Sequence, residues 1–171
     1  MLYQIEIEFL YALQALHTPW LDAFMIHITA LGDQGLIWIL TGLVLLFFPK
    51  TRRMGICVLI SLAVGFLLGN MFLKNLIKRP RPSWLDQQVA LLIQNPQDYS
   101  FPSGHTLASF EGAVSIWLFN KRLARPFLLL AVLIAISRLY LFVHFPTDIL
   151  GGMVLGIFIA LSVHHVINSN R

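Results

Sequence analysis

An all-α integral membrane helical bundle, with five to six transmembrane helices and short N-terminal amphipathic helices, accounts for three features of this 171-residue chain. Hydrophobic residues make up 57% of it and charged ones 12%, and a mean hydropathy of +0.75 leaves too few polar side chains to coat a soluble domain. The apolar residues gather into runs of nearly bilayer length. Lys and Arg sit in short clusters between those runs, as topology signals do. Residues 1–171 are expected to form a single domain, without repeats, low-complexity tracts or a soluble appendage. The start lacks the basic, cleavable pattern of a secretion signal, so the first residues are expected to stay in the mature protein. The net charge of +4 does not point to nucleic acid, because the cations do not lie along one face with aromatic partners. Cys57, the only cysteine, lies within an apolar run and reads as a small lipid- or core-facing residue.

The N-terminal region comes first. Thr18 before Pro19 reads as a helix cap and first helical residue, dividing residues 1–34 into helices near 3–16 and 19–31. Each is too short to cross a bilayer, and Glu6, Glu8 and Asp22 among apolar neighbours suit amphipathic helices lying in the interface. A broken crossing helix here would make six spans in place of five. The five apolar runs are Gly35–Phe48, Gly55–Leu73, Ser103–Phe119, Pro126–Phe142 and Thr147–Val166. Between them lie "PKTRR" at 49–53, a polar loop from about Lys78 to Phe101, "NKRLAR" at 120–125, and "HFP" at 144–146, where Pro146 disfavours helix just before itself.

If the five runs alternate, Lys50, Arg52, Arg53, Lys121, Arg122, Arg125 and Arg171 share one side, expected to be cytoplasmic. The opposite side then receives "KNLIKRPRP" (74–82), "PSGH" (102–105) and "SRLYLFVHFPTD" (137–148). These bring Lys74, Arg81, Arg138, His105, His144 and Asp148 to one place. Ionisable groups at membrane depth are costly and normally face a functional cavity. Several cations with two histidines suggest an anionic substrate. Arg81 and Arg138 can each grip phosphate oxygens with a planar fork, and Lys74 adds a compact charge. Ser103 is a suitable helix cap and Gly104 lets backbone come close to a ligand, so the helix start is an anion site. His105, with an ordinary pKa of about 6.5, can donate a proton to a leaving oxygen. Asp148 can fix the tautomer of His144 and leave its other nitrogen free to attack, which predicts a covalent phosphohistidine.

Simpler roles compete for these residues. His105 can be a capping residue, His144 an interfacial histidine, and Asp148 a first-turn carboxylate favoured by the helix dipole. Lys78 and Arg79 are expected to be solvated loop or headgroup contacts, and His164 and His165 to lie at the far end. Glu111, inside a span, has no assignable role. Of the eight Asp and Glu, only Asp148 is placed within the constellation, which argues against an all-protein divalent cage; no metal and no cofactor are expected.

Together the three stretches resemble the type 2 phosphatidic acid phosphatase (PAP2) family, whose pattern is Lys, six residues, Arg-Pro; Pro-Ser-Gly-His; and Ser-Arg, five residues, His, three residues, Asp. Lys74 with Arg81-Pro82, Pro102 to His105, and Ser137-Arg138 with His144 and Asp148 match it without departure. The resemblance implies a six-helix membrane core and a metal-independent lipid phosphatase. In it His144 would be the nucleophile, Asp148 its orienter and His105 the proton donor, with Lys74, Arg81, Ser103, Gly104 and Arg138 as phosphate ligands. It implies a multi-pass protein of the cell membrane, active on its extracytoplasmic face on a membrane lipid phosphate. Undecaprenyl diphosphate is the favoured substrate, with phosphatidylglycerophosphate and phosphatidic acid as alternatives. The same pattern occurs in vanadium haloperoxidases, which are mostly soluble and larger. A lipid or anion translocator using the same cations without hydrolysis is the rival from another class.

Overall fold

A computed structural model of the chain describes residues 2–169, and these fold as helices joined by turns and one long loop. Arg171, placed above with the cytoplasmic cations, lies outside them. Helices α1 (Leu2–Gln14) and α2 (Pro19–Leu31) part at Thr18, whose extended backbone and hydroxyl, accepting from Leu21 N at 3.4 Å, make the expected cap. In α1, Glu6 is buried together with Leu10, whereas Leu2, Ile5 and Phe9 face outward, so the helix seats one carboxylate in the protein and offers an apolar face to its surroundings. An ion pair, described below, makes that burial tolerable.

A short 3-10 turn, Asp33–Gly35, with Gln34 and Gly35 at positive φ, carries α2 into α3 (Leu36–Phe47) at a bend of 41°. Next, α4 (Arg52–Gly65) continues through a π-helical stretch, Phe66–Leu73, into α5 (Lys74–Ile77). One turn, α6 (Pro82–Leu85), opens the long loop. Then follow α7 (Gly104–Phe119), α8 (Lys121–Tyr140) and α9 (Pro146–Ser169). Three stretches are long and apolar enough to cross a membrane: Arg52–Leu85, Lys121–Tyr140 and Pro146–Ser169, with α2 and α3 a fourth if the bent pair is one span. At 16 residues α7 is shorter than these. It lies between α4, α8 and α9 with most of its residues buried, so protein rather than lipid covers it.

Helix α8 starts five residues before the expected Pro126. Asn120 Oδ1 accepts from Arg122 N at 3.1 Å and Leu123 N at 3.0 Å, a cap that starts the helix ahead of the proline and carries it inside.

Helix α9 lies against the backbone of α7 through two glycines four residues apart, a spacing that permits close approach in membranes. A Cβ on Gly152 would stand 2.7 Å from Ser103 O, and one on Gly156 2.8 Å from Leu107 O. This contact sets Asp148, in the first turn of α9, beside the start of α7, where its carbonyl accepts from Ser103 N at 3.1 Å. Gly156→Leu is therefore expected to destabilise the protein by roughly 1–3 kcal/mol through overpacking, read as a lower unfolding midpoint in detergent.

Candidate active site

The turn joining α8 to α9 carries His144, 1% exposed. Its Nε2 lies 3.0 Å from Arg81 Nη1. A guanidinium only donates, so Nε2 holds the lone pair and the proton sits on Nδ1. Nδ1 lies 3.5 Å from Asp148 Oδ2 and 3.4 Å from Ser100 Oγ. Ser100 Oγ in turn donates to Asp148 Oδ2, which also accepts from Phe145 N at 2.8 Å. The ring is thus held in the tautomer that a nucleophilic Nε2 needs. Burial holds the His144 imidazole well below its ordinary pKa, and the nearby charges of Arg81, Arg138 and Lys74 push the same way.

The cations come from three elements. Lys74 starts α5 and Arg81 precedes α6; both are buried and share the carboxylate of Asp98, a residue of the long loop. Arg81 donates Nη2 to Asp98 Oδ1 and Nε to Asp98 O, each at 2.7 Å, and Nη1 to Val143 O at 2.7 Å. Partial burial raises the pKa of the Asp98 carboxyl, but Lys74 and Arg81 outweigh it and hold the group well below the usual carboxylate range. Near the end of α8, Arg138 is 3% exposed and donates Nη1 to Thr29 Oγ1 at 2.6 Å. Its buried Nε has no partner among the described residues.

Two of the expected phosphate ligands, Ser103 and Gly104, stand at the start of α7. Ser103 caps the helix as expected: its Oγ accepts from Thr106 Oγ1 at 3.0 Å and Thr106 N at 3.5 Å, which leaves its own O–H free to donate. Gly104 lines the cavity, and a Cβ there would stand 2.6 Å from Oδ1 of Asn70 in the π-helical stretch. His105 projects as expected, and its Nε2 lies 2.9 Å from Asp33 Oδ1.

Lys74, Arg81, Gly104, His105, Arg138 and His144 line one cavity of about 1170 Å³. Asp148 stands behind His144, and Ser103 stays within its helix. Away from the cations the wall becomes apolar, with Ile39, Leu59, Leu62, Ala63 and Phe66, and it includes Glu111. The Glu111 carboxyl is buried without a hydrogen-bond partner among the described residues, in space that Gly65 leaves open.

Asp148 is not the sole carboxylate here, contrary to expectation. Asp33 and Asp98 reach the cavity from a short turn and a long loop, segments whose path no helical periodicity reveals. Each faces a basic side chain. Arg79 is not a solvated contact either: it donates Nη1 to Asp148 Oδ1 at 2.6 Å and Nη2 to Glu6 Oε2 at 2.6 Å. Lys78 ends α5 at φ 52 and is exposed, which removes it from the face of Lys74.

The sequence pattern of the PAP2 superfamily matches residues 54–171, well over half of the chain. The chain belongs to the PAP2 superfamily. It is 34% identical over 141 residues to the undecaprenyl-diphosphatase of Sulfolobus acidocaldarius, a match covering 82% of this chain and 68% of that one. Against phosphatidylglycerophosphatase B of Bacillus subtilis it is 35% identical over 155 residues, covering 81% and 71%. The crystal structure of a transmembrane PAP2 type phosphatidylglycerolphosphate phosphatase from Bacillus subtilis superposes with a TM-score of 0.78 at 29% identity, over 99% of this chain and 87% of that one. This PAP2 protein is therefore a multi-pass helical membrane protein, as its apolar helices also indicate.

Proposed function

We propose that this chain is a lipid phosphate phosphatase that removes the terminal phosphate of undecaprenyl diphosphate at the outer membrane face through a phosphohistidine intermediate. The observation that carries the reading is the cavity itself. The lone pair of His144 Nε2, the unpartnered Nε of Arg138 and the ion-paired Lys74 and Arg81 converge at one end of an apolar slot. A phosphate held by Lys74, Arg81 and Arg138 would present phosphorus to Nε2. Asp148, directly and through Ser100, would support the positive charge that develops on the ring. His105 would protonate the departing oxygen where that oxygen is an alkoxide, as in a lipid monophosphate, and with either class of substrate would draw, as base, a proton from the water that releases phosphate. Both steps use only side chains and water. The lipid tail would follow the apolar wall, which reads no headgroup. An outward-facing site is supported by the basic clusters at 50–53 and 121–125, which stand at the starts of the spans whose later parts carry Lys74, Arg81 and Arg138.

Asp98 now occupies cations that the substrate phosphate would need. Asp98→Asn is expected to strengthen inhibition by inorganic phosphate about tenfold, roughly 1.4 kcal/mol, less than one ion pair of intermediate dielectric supplies. Inhibition constants of the two proteins decide it.

The functional test is release of inorganic phosphate by purified protein in detergent containing EDTA, with undecaprenyl diphosphate, phosphatidylglycerophosphate and phosphatidic acid compared by kcat/KM. Release, greatest from undecaprenyl diphosphate, is expected. Absence of release from all three would overturn hydrolysis, and a higher kcat/KM for either glycerolipid would replace the substrate.

A further inference from the structure

We infer that Arg79 and Glu6 form the outer half of a relay, His144–Asp148–Arg79–Glu6, in which the half-buried Arg79 positions Asp148 and Glu6, from the N-terminal helix, positions Arg79. The inference rests on the proposed role of His144 and extends it to residues outside the family pattern. Arg79 is one of the six unspecified positions between Lys74 and Arg81, and Glu6 lies before the matched segment 54–171.

The two oxygens of Asp148 have separate tasks. Oδ2 receives Ser100, Phe145 N and the His144 side, whereas Oδ1 receives Arg79 Nη1 at 2.6 Å. Asp148 is fully buried, so without Arg79 this oxygen would be an unpaired anionic acceptor in a dry place. Arg79 is held on every side. Its guanidinium lies 4.3 Å from the centre of the Phe145 ring, Nη1 also donates to Thr147 Oγ1 at 2.6 Å, and its carbonyl accepts from Ser100 N at 2.9 Å. Glu6 closes the chain. One oxygen accepts from Arg79 Nη2, the other from Thr147 N at 2.9 Å and Thr147 Oγ1 at 2.6 Å, at the exposed-amide end of α9. A carboxylate of α1 is thereby keyed to the turn that carries the histidine.

The consequence is electrostatic as well as geometric. Arg79 draws on the charge of Asp148, so less of it is available to stabilise an imidazolium at His144. The other charged groups facing that ring are Arg81, Arg138, Lys74 and His105 from the cavity side, with Asp98 beyond Arg81. Replacing Arg79 by a neutral residue turns the full carboxylate toward His144 and favours the protonated ring. Replacing Glu6 by Gln has the opposite sign, because Arg79 then leans on Asp148 alone.

Arg79→Gln, Arg79→Lys and Glu6→Gln in the full chain, assayed in detergent for phosphate release across about pH 5–9, test the relay. For Arg79→Gln, kcat is expected to fall on the order of 10- to 100-fold with KM changed less than about threefold, and the acidic limb of kcat/KM to move to higher pH by about one unit. Arg79→Lys should recover part of kcat, and Glu6→Gln should leave the limb in place or move it to lower pH. The double variant Arg79→Gln/Glu6→Gln should lose no more than Arg79→Gln alone, since the two act in series. If Arg79→Gln does not fold, the limb in Glu6→Gln and the kcat of Arg79→Lys decide. An unmoved limb in Arg79→Gln, a loss confined to KM, or additive losses in the double variant would overturn the relay. A wild-type protein that releases no phosphate would instead remove the proposed function on which the relay depends.

Discussion

His144→Ala is expected to lower kcat for lipid phosphate hydrolysis by at least ~10⁴-fold while leaving the protein folded and able to bind phosphate, because the variant loses the atom that bonds to phosphorus and keeps the cations that hold it. The imidazole is walled in by Arg81, Ser100 and Asp148, which hold its Nε2 toward the cavity cations. Water attacking directly would have to do without the positioning that gives a fixed nucleophile its advantage. Measuring kcat beside inorganic phosphate binding separates lost chemistry from lost affinity. Retention of more than a few per cent of turnover would remove His144 from the reaction. The same residue fixes the pH behaviour of the wild type. Protonation of Nε2 abolishes attack, and burial with the surrounding cations places that protonation well below the ordinary imidazole range. Activity limited by this group should therefore persist at pH values where a free imidazole, with a pKa of about 6.5, is already mostly charged.

Replacing His105 by Ala is expected to lower kcat by about 10²- to 10⁴-fold, the range for removal of a positioned general acid. Leaving-group chemistry makes this loss informative. A lipid monophosphate expels an alkoxide, which needs a proton as the P–O bond breaks, whereas a lipid diphosphate expels a phosphate monoester anion that leaves without one. The loss in kcat/KM, which reports the leaving-group step and not the hydrolysis of the common intermediate, should be greater for phosphatidic acid than for undecaprenyl diphosphate. Equal losses on both would point away from proton donation and toward a binding role for His105. Asp33, 2.9 Å from His105 Nε2, orients the ring and provides an internal comparison. Asp33→Asn should reproduce the substrate dependence in weaker form.

Much of the bundle was legible because lipid imposes simple rules. Runs of bilayer length, bounded by basic clusters and prolines, marked the cores of α3 to α5 and of α7 to α9, and Thr18-Pro19 marked the α1–α2 break through cap chemistry. The contact of Gly152 and Gly156 with α7 was not read from the sequence, where nothing marks which helix lies against them. At the site, the motif-bearing Lys74, Arg81, His105, Arg138 and His144 could be brought together because alternation of spans puts their segments at one end. What escaped was set by tertiary approach. Asp98 sits in a loop with no periodicity, Asp33 in a three-residue turn, and Glu6 pairs with a residue 73 positions away. Ser100 stands two residues before the PSGH motif, yet only the fold shows its hydroxyl between His144 and Asp148. Ser103 was legible as the cap of α7, whereas the approach of Asn70 to Gly104 is seen only in the fold.

The most direct measurement is rapid acid-free quenching of the enzyme with lipid substrate carrying labelled terminal phosphate, performed on wild type and on His105→Ala, followed by mapping of the label. The account predicts label bound to His144 within the first turnover, stable to alkali and lost in acid, and accumulating further in His105→Ala when the leaving group is itself a phosphate, because water activation is then slow. Phosphate release with label on no residue at any time, or label fixed at a residue other than His144, would contradict it.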